Sequence, residues 1–157
     1  MPITTEDFAQ LIGAVTATVA GKPLDKNLES ELNAHFPAGG PVFARIAQAC
    51  RDAVAAGWMC NRVGGAIRFG RVIKAGPATH EFSVDVVDMP SIAGPHHVHP
   101  NGEIDLIMPL EESACFDGHP AGWLVYGPGS AHRPTVTGGR AHVLYLLPGG
   151  AIEFTRT

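Results

Sequence analysis

Residues Gly94 to Glu103 read Gly-Pro-His-His-Val-His-Pro-Asn-Gly-Glu, the part of the sequence from which most of the architecture can be inferred. Residues two apart on a β-strand point to the same face, so His97 and His99 can reach one ion together. Gly102 can adopt a positive φ, which lets the chain bulge before Glu103 enters the next strand. Two imidazoles and one carboxylate on one side of a metal leave the other side open for water or substrate. The stretch therefore predicts a metal centre.

A fourth candidate ligand, His132, lies further along the chain in the sequence Pro-Gly-Ser-Ala-His-Arg-Pro. A single His-x-His pair is most often accidental, but its combination with Glu103 and this second histidine motif favours a metal site. His96 points to the opposite strand face and is expected in solvent or beside a ligand. We predict one divalent metal ion, with iron, manganese and zinc foremost, held by four side chains. These ligands are His97, His99, Glu103 and His132.

The spacing H-x-H-x-x-x-E, followed by P-G-x-x-H from Pro128, resembles the two signature motifs of the cupin superfamily. The resemblance implies a small antiparallel β-barrel (jelly roll) that holds one metal at its centre through these four positions. The second motif usually ends in an Asn, where this chain has Val136. Because that Asn is not a ligand in cupins, the departure leaves the predicted metal site intact.

Hydrophobic periodicity divides the chain near Gly57. Within residues 1–57, apolar residues recur at three- and four-residue steps, which predicts three helices. Residues 58–157 instead show short β-like runs between turn residues, the clearest being 67–73, 81–88, 103–110, 122–126, 133–136 and 142–147. With no long helix after Gly57, parallel βαβ units are excluded and a closed antiparallel barrel is favoured. We predict a mainly β fold with a helical segment packed on the barrel or on a partner subunit.

Composition limits the partners and the location of the protein. The net charge of −4 argues against nucleic acid or an anionic membrane as a partner. No apolar run approaches the roughly 20 residues of a membrane helix, and the N-terminus lacks signal-peptide features. The three cysteines are irregularly spaced, so no disulfide framework is indicated. We expect a cytoplasmic protein with reduced thiols, and a homodimer in which the apolar helices offer a surface.

Beyond the ligands, three residues are candidates for chemistry. Asp105 shares a strand face with Glu103, and both are catalytic candidates, because a carboxylate inside an apolar barrel is costly without a partner or a task. Asp105 can alternatively orient a ligand histidine or pair with an arginine. Arg71 is the candidate for binding a substrate carboxylate, although Arg68, Arg133 and Arg140 are not separated from it by sequence. Tyr126 is a candidate hydrogen-bond donor to substrate, with simple packing as the alternative.

A longer similarity extends over residues 60–156. It includes Gly76-Pro-Ala-Thr-His-Glu-Phe-Ser-Val-Asp-Val-Val-Asp-Met, the ligand loop, Phe116-Asp-Gly, Ala121-Gly-Trp and Leu144-Tyr-Leu-Leu-Pro-Gly-Gly. These runs resemble the 4-hydroxylaminobenzoate lyases of nitroarene-degrading bacteria. The resemblance implies conversion of 4-hydroxylaminobenzoate, a small aromatic carboxylate, to 3,4-dihydroxybenzoate (protocatechuate) with release of ammonia.

That reaction needs no second cofactor. Adding one water and removing ammonia balances the atoms without an oxidant, because the N–O bond is reduced while the ring is oxidised. A Lewis-acid metal suffices, and the sequence has no Gly-rich nucleotide motif. The alternatives are a cupin-type iron dioxygenase or another metal-dependent enzyme acting on a small aromatic acid, a non-enzymatic sensor, and a structural cupin without metal. Dioxygen consumption distinguishes the dioxygenase, and metal analysis distinguishes the structural cupin.

Overall fold

Three α-helices form the first part of the chain, of which the computed structural model describes residues 3–155. Their bounds are Thr5–Val19 for α1, Lys26–His35 for α2 and Pro41–Ala56 for α3. Thr4 caps α1 by accepting a hydrogen bond from a backbone amide, and Asp25 caps α2 in the same way. Gly57 follows α3 in the left-handed conformation typical of helix ends. The ends of the two predicted segments, residues 1–2 and 156–157, lie outside the described residues.

Short antiparallel strands follow the helices. Their bounds are β1 Arg62–Gly64, β2 Ile67–Ile73, β3 Phe82–Met89, β4 Ile92–Ala93, β5 His97–His99, β6 Glu103–Pro109, β7 Cys115–Phe116, β8 Gly122–Tyr126, β9 Ser130–His132, β10 Thr135–Thr137, β11 Ala141–Pro148 and β12 Glu153–Phe154. One six-stranded sheet has the order β1-β2-β3-β11-β6-β8, and two three-stranded sheets have the orders β4-β10-β7 and β12-β5-β9. This jelly roll preceded by helices confirms the predicted mainly β fold class.

The strands differ from the prediction in two respects. They do not form a single continuously hydrogen-bonded cylinder. The predicted strand 133–136 is wrong in its bounds, since β9 ends at His132 and β10 begins at Thr135. Pro134 lies between them and has no N–H with which to continue a ladder. The chain therefore leaves one small sheet and enters the other immediately after a candidate ligand.

The six-stranded sheet separates two hydrophobic cores. The outer core joins one face of the sheet to the helices and includes Phe8, Ile12, Ile46, Val84, Val86, Leu106 and Leu144. The inner core lies between the sheets and includes Val87, Ile107, Phe116, Leu124, Val136 and Val143. Burying a side chain of this size contributes about 1.5–3 kcal/mol. The apolar faces of the helices pack against the sheet in this core.

The loop between β5 and β6 is held against the segment between α1 and α2. Gly102 has a φ of 90°, as predicted for the bulge before Glu103. A Cβ atom at this position would lie 2.8 Å from Leu24 Cδ2 and 2.8 Å from the Tyr126 carbonyl oxygen. Such an approach requires glycine. The helical segment thus braces the loop that connects the candidate ligands.

Two further sequence expectations concern membranes and thiols. No helix between residues 3 and 155 combines the length and the apolar composition that crossing a membrane would require. The thiols of Cys50, Cys60 and Cys115 are all free, and the first two are buried. Burial raises the pKa of Cys60 to about 12, so this thiol is unreactive at neutral pH.

Candidate metal centre

The structure brings the four predicted ligands together. His97 and His99 come from β5, Glu103 begins β6, and His132 ends β9, where it pairs with His97 across the strands. The ligand atoms all lie within 4.8 Å of one another. The Nε2 atoms of His97 and His99 are each 3.2 Å from Glu103 Oε1. His132 Nε2 is 3.3 Å from Glu103 Oε2 and 3.1 Å from His97 Nε2.

These atoms fit a divalent metal ion better than they fit hydrogen bonds to one another. His99 Nε2 and Glu103 Oε2 are buried and have no hydrogen-bond partner, although other polar atoms lie close to them. The four ligand atoms are close enough together to bind one ion. Two donors bound to one ion at about 2.1 Å and at right angles lie about 3.0 Å apart, close to the spacing of His97 and His132. Three imidazoles and a carboxylate are a donor set that suits several divalent metals.

Contacts at the opposite ring nitrogens fix the orientation of the imidazoles. His97 Nδ1 lies 3.3 Å from the Pro95 carbonyl oxygen, and His99 Nδ1 lies 2.9 Å from Ser130 Oγ. His132 Nδ1 lies 2.5 Å from a carboxylate oxygen of Asp117. Because a carbonyl or a carboxylate only accepts, the rings of His97 and His132 carry their proton on Nδ1. Their Nε2 lone pairs are then free for a metal.

Asp117 is a functional residue that the sequence reasoning missed. Besides His132, its carboxylate accepts from the Tyr126 hydroxyl at 2.5 Å and from the Thr135 amide at 2.9 Å. Burial raises the pKa of Asp117, but these hydrogen bonds lower it more, so the group is ionised. Burial lowers the pKa of His132, but Asp117 and Glu103 raise it to about 9, so a metal ion that binds Nε2 would displace the proton this nitrogen otherwise carries. The only signal in the sequence was the Phe-Asp-Gly turn, which does not indicate a partner.

Asp105 lies beside Glu103 and is completely buried. Neither of its carboxyl oxygens has a hydrogen-bond partner among the described residues. Burial and the charge of Glu103 raise the pKa of Asp105 well above its ordinary value. Burial also raises the pKa of Glu103, but the surrounding imidazoles hold that pKa well below its ordinary value. One carboxyl of the pair is therefore protonated and can donate, while the other is ionised and can bind a cation.

A cavity of about 770 Å³ adjoins the cluster, and His97 forms part of its wall. Its size is within the range of pockets that hold small molecules. Three cationic side chains line it, Arg62, Arg71 and Lys74, with one acidic side chain, Asp85, and apolar residues that include Phe69, Val87, Met89, Ile152 and Phe154. The cationic residues outnumber the acidic one, so a small aromatic acid matches both the charge and the polarity of the wall.

The predicted substrate-binding residues have different positions. Arg71 lines the cavity, where its Nε donates to Asp85 Oδ1 at 2.7 Å and its Nη2 donates to the Gly150 carbonyl at 3.2 Å. Tyr126 is not among the residues that line this cavity, and its hydroxyl donates to Asp117. Arg140 is paired with Asp88 on the other face of the sheet.

Comparison with known proteins adds the family. A family model described as PnbB: 4-hydroxylaminobenzoate lyase matches residues 10–154. The chain belongs to this family. The match includes all four candidate ligands and the lining of the cavity. Both the histidine cluster and the cavity therefore lie within the part of the chain that matches the 4-hydroxylaminobenzoate lyase family.

Individual relatives agree with the family match. A 4-hydroxylaminobenzoate lyase of Pseudomonas putida is 31% identical over 155 residues, covering 88% of this chain and 88% of the relative. A 4-hydroxylaminobenzoate lyase of Nocardioides sp. (strain LMS-CY) is 34% identical over 142 residues, covering 84% of this chain and 83% of the relative. Among solved structures, an rmlc-like cupin protein from Ralstonia eutropha has a TM-score of 0.44 at 13% identity, over 59% of this chain and 62% of that chain.

Proposed function

We propose that this protein is a metal-dependent lyase that converts 4-hydroxylaminobenzoate and water to 3,4-dihydroxybenzoate and ammonia. The proposal rests on the family match over residues 10–154, which spans the buried three-histidine, one-carboxylate cluster and its cavity. Iron, manganese and zinc are the metals we favour, held by His97, His99, Glu103 and His132. When bound, the metal would act as a Lewis acid toward the hydroxylamino oxygen.

The atoms and electrons of the reaction balance without an oxidant. The N–O bond breaks with both electrons going to oxygen, which takes a proton and leaves as water. A water adds to the ring carbon beside the nitrogen-bearing carbon and gives up a proton. A second water hydrolyses the resulting imine and releases ammonia, and the ketone formed shifts a ring proton to oxygen to restore the aromatic ring. One water is consumed overall, so the site must move protons but need not accept electrons.

The side chains of this protein supply the proton handling and the positioning. Asp105 is buried beside Glu103 and its carboxyl oxygens have no hydrogen-bond partner among the described residues, so we assign it the transfer of protons to the leaving oxygen and from the incoming water. Glu103 contributes the negative charge that balances the metal. Arg71 lies in the cavity wall, and we assign it the substrate carboxylate. Tyr126 supports the site through Asp117, and a direct contact with substrate remains a prediction.

The experiment is anaerobic incubation of the metal-loaded protein with 4-hydroxylaminobenzoate. We expect ammonia and 3,4-dihydroxybenzoate in equal amounts, without flavin, nicotinamide or dioxygen, because the balanced reaction needs only water. Chelation should abolish the activity and added metal should restore it. Ammonia is measured by a coupled assay and the catechol by chromatography. A heat-inactivated sample with the same metal controls for the spontaneous reaction.

Two results would contradict the proposal. Strict dependence on dioxygen would assign the protein to the iron dioxygenases, the second candidate function. Turnover that is unaffected by complete removal of the metal would show that the activity does not depend on a metal bound by the histidine cluster.

We further infer a cytoplasmic homodimer. The exposed side chains of Val63 and Phe154, at 71% and 64% exposure, supply apolar surface for a second copy. Sedimentation equilibrium measures the mass directly, and a monomer at all concentrations would contradict this inference.

A further inference from the structure

Four residues form one row across the inner face of the six-stranded sheet. Arg71 on β2 pairs with Asp85 on β3, Asp85 pairs with Tyr145 on β11, and Tyr145 pairs with Asp105 on β6. Adjacent strands lie about 4.8 Å apart, so the row leads stepwise from the cationic wall of the cavity to the carboxyl beside the metal ligands. Asp85 and Tyr145 occupy the middle of this row, and Tyr145 is the one next to Asp105.

Tyr145 has the surroundings of a residue that contacts a ligand. Its side chain lines the cavity although the residue is only 5% exposed. Its ring centroid lies 6.2 Å from that of His97 and 6.3 Å from that of Phe116, which holds the ring in place. Among the described residues no hydrogen bond to its hydroxyl is found, and this oxygen is not one of the fully buried polar atoms that lack a partner, as expected if it faces the cavity. A buried phenol without a partner is unfavourable unless it faces space that water or a ligand fills.

The Tyr145 hydroxyl carries its proton at neutral pH, because the ordinary pKa of a phenol is about 10. A neutral phenol donates one hydrogen bond and does not serve as a base at neutral pH. The hydroxyl is therefore suited to an acceptor atom on the substrate.

We propose that Tyr145 is a catalytic residue whose hydroxyl donates a hydrogen bond to the hydroxylamino oxygen of the substrate. This inference rests on the proposed function. A para-disubstituted ring carries its two groups at opposite ends, so a carboxylate at Arg71 directs the hydroxylamino group along the row toward Tyr145 and Asp105. The oxygen gains negative charge as the N–O bond breaks, and a fixed donor stabilises that charge.

The chain contains two tyrosines, which provide a matched pair of variants. Tyr145→Phe removes the hydroxyl that faces the cavity, whereas Tyr126→Phe removes the hydroxyl that donates to Asp117. Both changes keep the ring. Each variant is measured for metal content, melting temperature, kcat, and inhibition by 4-aminobenzoate. This analogue retains the ring and the carboxylate but lacks the hydroxylamino oxygen.

For Tyr145→Phe we expect kcat to fall on the order of 100-fold, the size of the loss of one fixed donor. Metal content and the inhibition constant of 4-aminobenzoate should stay at the wild-type values, because neither depends on the hydroxyl. For Tyr126→Phe we expect weaker metal binding instead, since Asp117 would lose one of the contacts that hold it against His132. A role confined to packing would not produce this separation between turnover and analogue binding.

Three results would overturn the inference. The first is a kcat for Tyr145→Phe within about threefold of wild type, far from the expected loss of a donor. The second is a loss of 4-aminobenzoate binding that parallels the loss of turnover. The third is failure of the variant to fold, which would show that the hydroxyl has a structural partner. An inactive wild-type protein would overturn the proposed function itself, and the inference with it, before any variant is compared.

Discussion

Two clusters of buried histidine and carboxylate lie on opposite faces of the same six-stranded sheet. On the inner face, three imidazoles and Glu103 direct their free atoms toward one point, and the cavity adjoins them. On the outer face, His142 pairs in register with Asp88, but its Nε2 is 3.7 Å from Asp88 Oδ1. Arg140 Nη1 already donates to that oxygen at 3.0 Å. The outer cluster faces the helices and does not line the cavity.

The difference shows what distinguishes a site from a buried polar contact. Both clusters contain titratable side chains removed from water, and His142 Nδ1 lacks a partner just as His99 Nε2 does. Only the inner cluster combines several free donor atoms, a common focus and access for a small molecule. Burial and shifted pKa values therefore select candidates, while convergence beside a cavity decides between them.

The largest expected effect is on metal binding. His99→Ala should weaken metal binding by several kcal/mol, because structural metal sites are worth about 10–16 kcal/mol over a few ligands. His142→Ala is the matched control on the outer face and should leave metal content unchanged. Elemental analysis after dialysis measures both. Undiminished metal in His99→Ala, or equal loss in the two variants, would remove the distinction between the clusters.

The next effect separates the two buried carboxyls. Asp105→Asn should lower kcat by about 10²–10⁴-fold with metal retained, the range for loss of an acid–base group. Asp88→Asn should leave kcat unchanged and lower the free energy of unfolding by about 1–3 kcal/mol, since a neutral amide replaces the charged acceptor of Arg140. Single-turnover kinetics and urea unfolding measure these quantities. If Asp105→Asn loses its metal, Asp105 holds the ligands and does not move protons.

The smallest effect is a pH dependence that belongs to the outer cluster. Burial lowers the pKa of His142, an effect that the arginines near it reinforce and that Asp88 only partly opposes. The unfolded chain therefore binds a proton below the ordinary histidine pKa of about 6.5, where the folded chain does not. Stability from this group is present above that pH and is lost as the pH falls, by at most about 1.4 kcal/mol per unit.

Urea unfolding of wild type and His142→Gln tests this at pH about 7.5 and about 5.5, on either side of the ordinary histidine pKa. The difference in unfolding free energy between the two proteins should shift in favour of the variant at the lower pH. Comparing the proteins with each other cancels the contributions of Glu103 and His132, which both contain. An equal difference at the two pH values would contradict the assignment.

Local spacing made much of the site predictable from the sequence. His97 and His99 share a strand face whatever the partner strands are, and Gly102 indicates its own bulge. Asp117 was not predictable, because its contact with His132 depends on how a turn in one small sheet meets a strand of the other. Tyr145 was within a predicted strand, but its place beside Asp105 follows only from the register of β11 against β6. The spacing of residues in the sequence does not show which distant strands pair or in which register.

Because Gly102 lies against Leu24, the ligand loop and the helical segment are expected to evolve together. A larger side chain at either position would push the loop away from the segment that supports it, so substitutions at the two positions are constrained together. The same contact limits engineering. If the ten residues of the motif were transferred alone to another barrel, three of the ligands would be transferred without the helical segment that supports their loop. A related protein without the helices would need other contacts to hold this loop if it is to retain the activity.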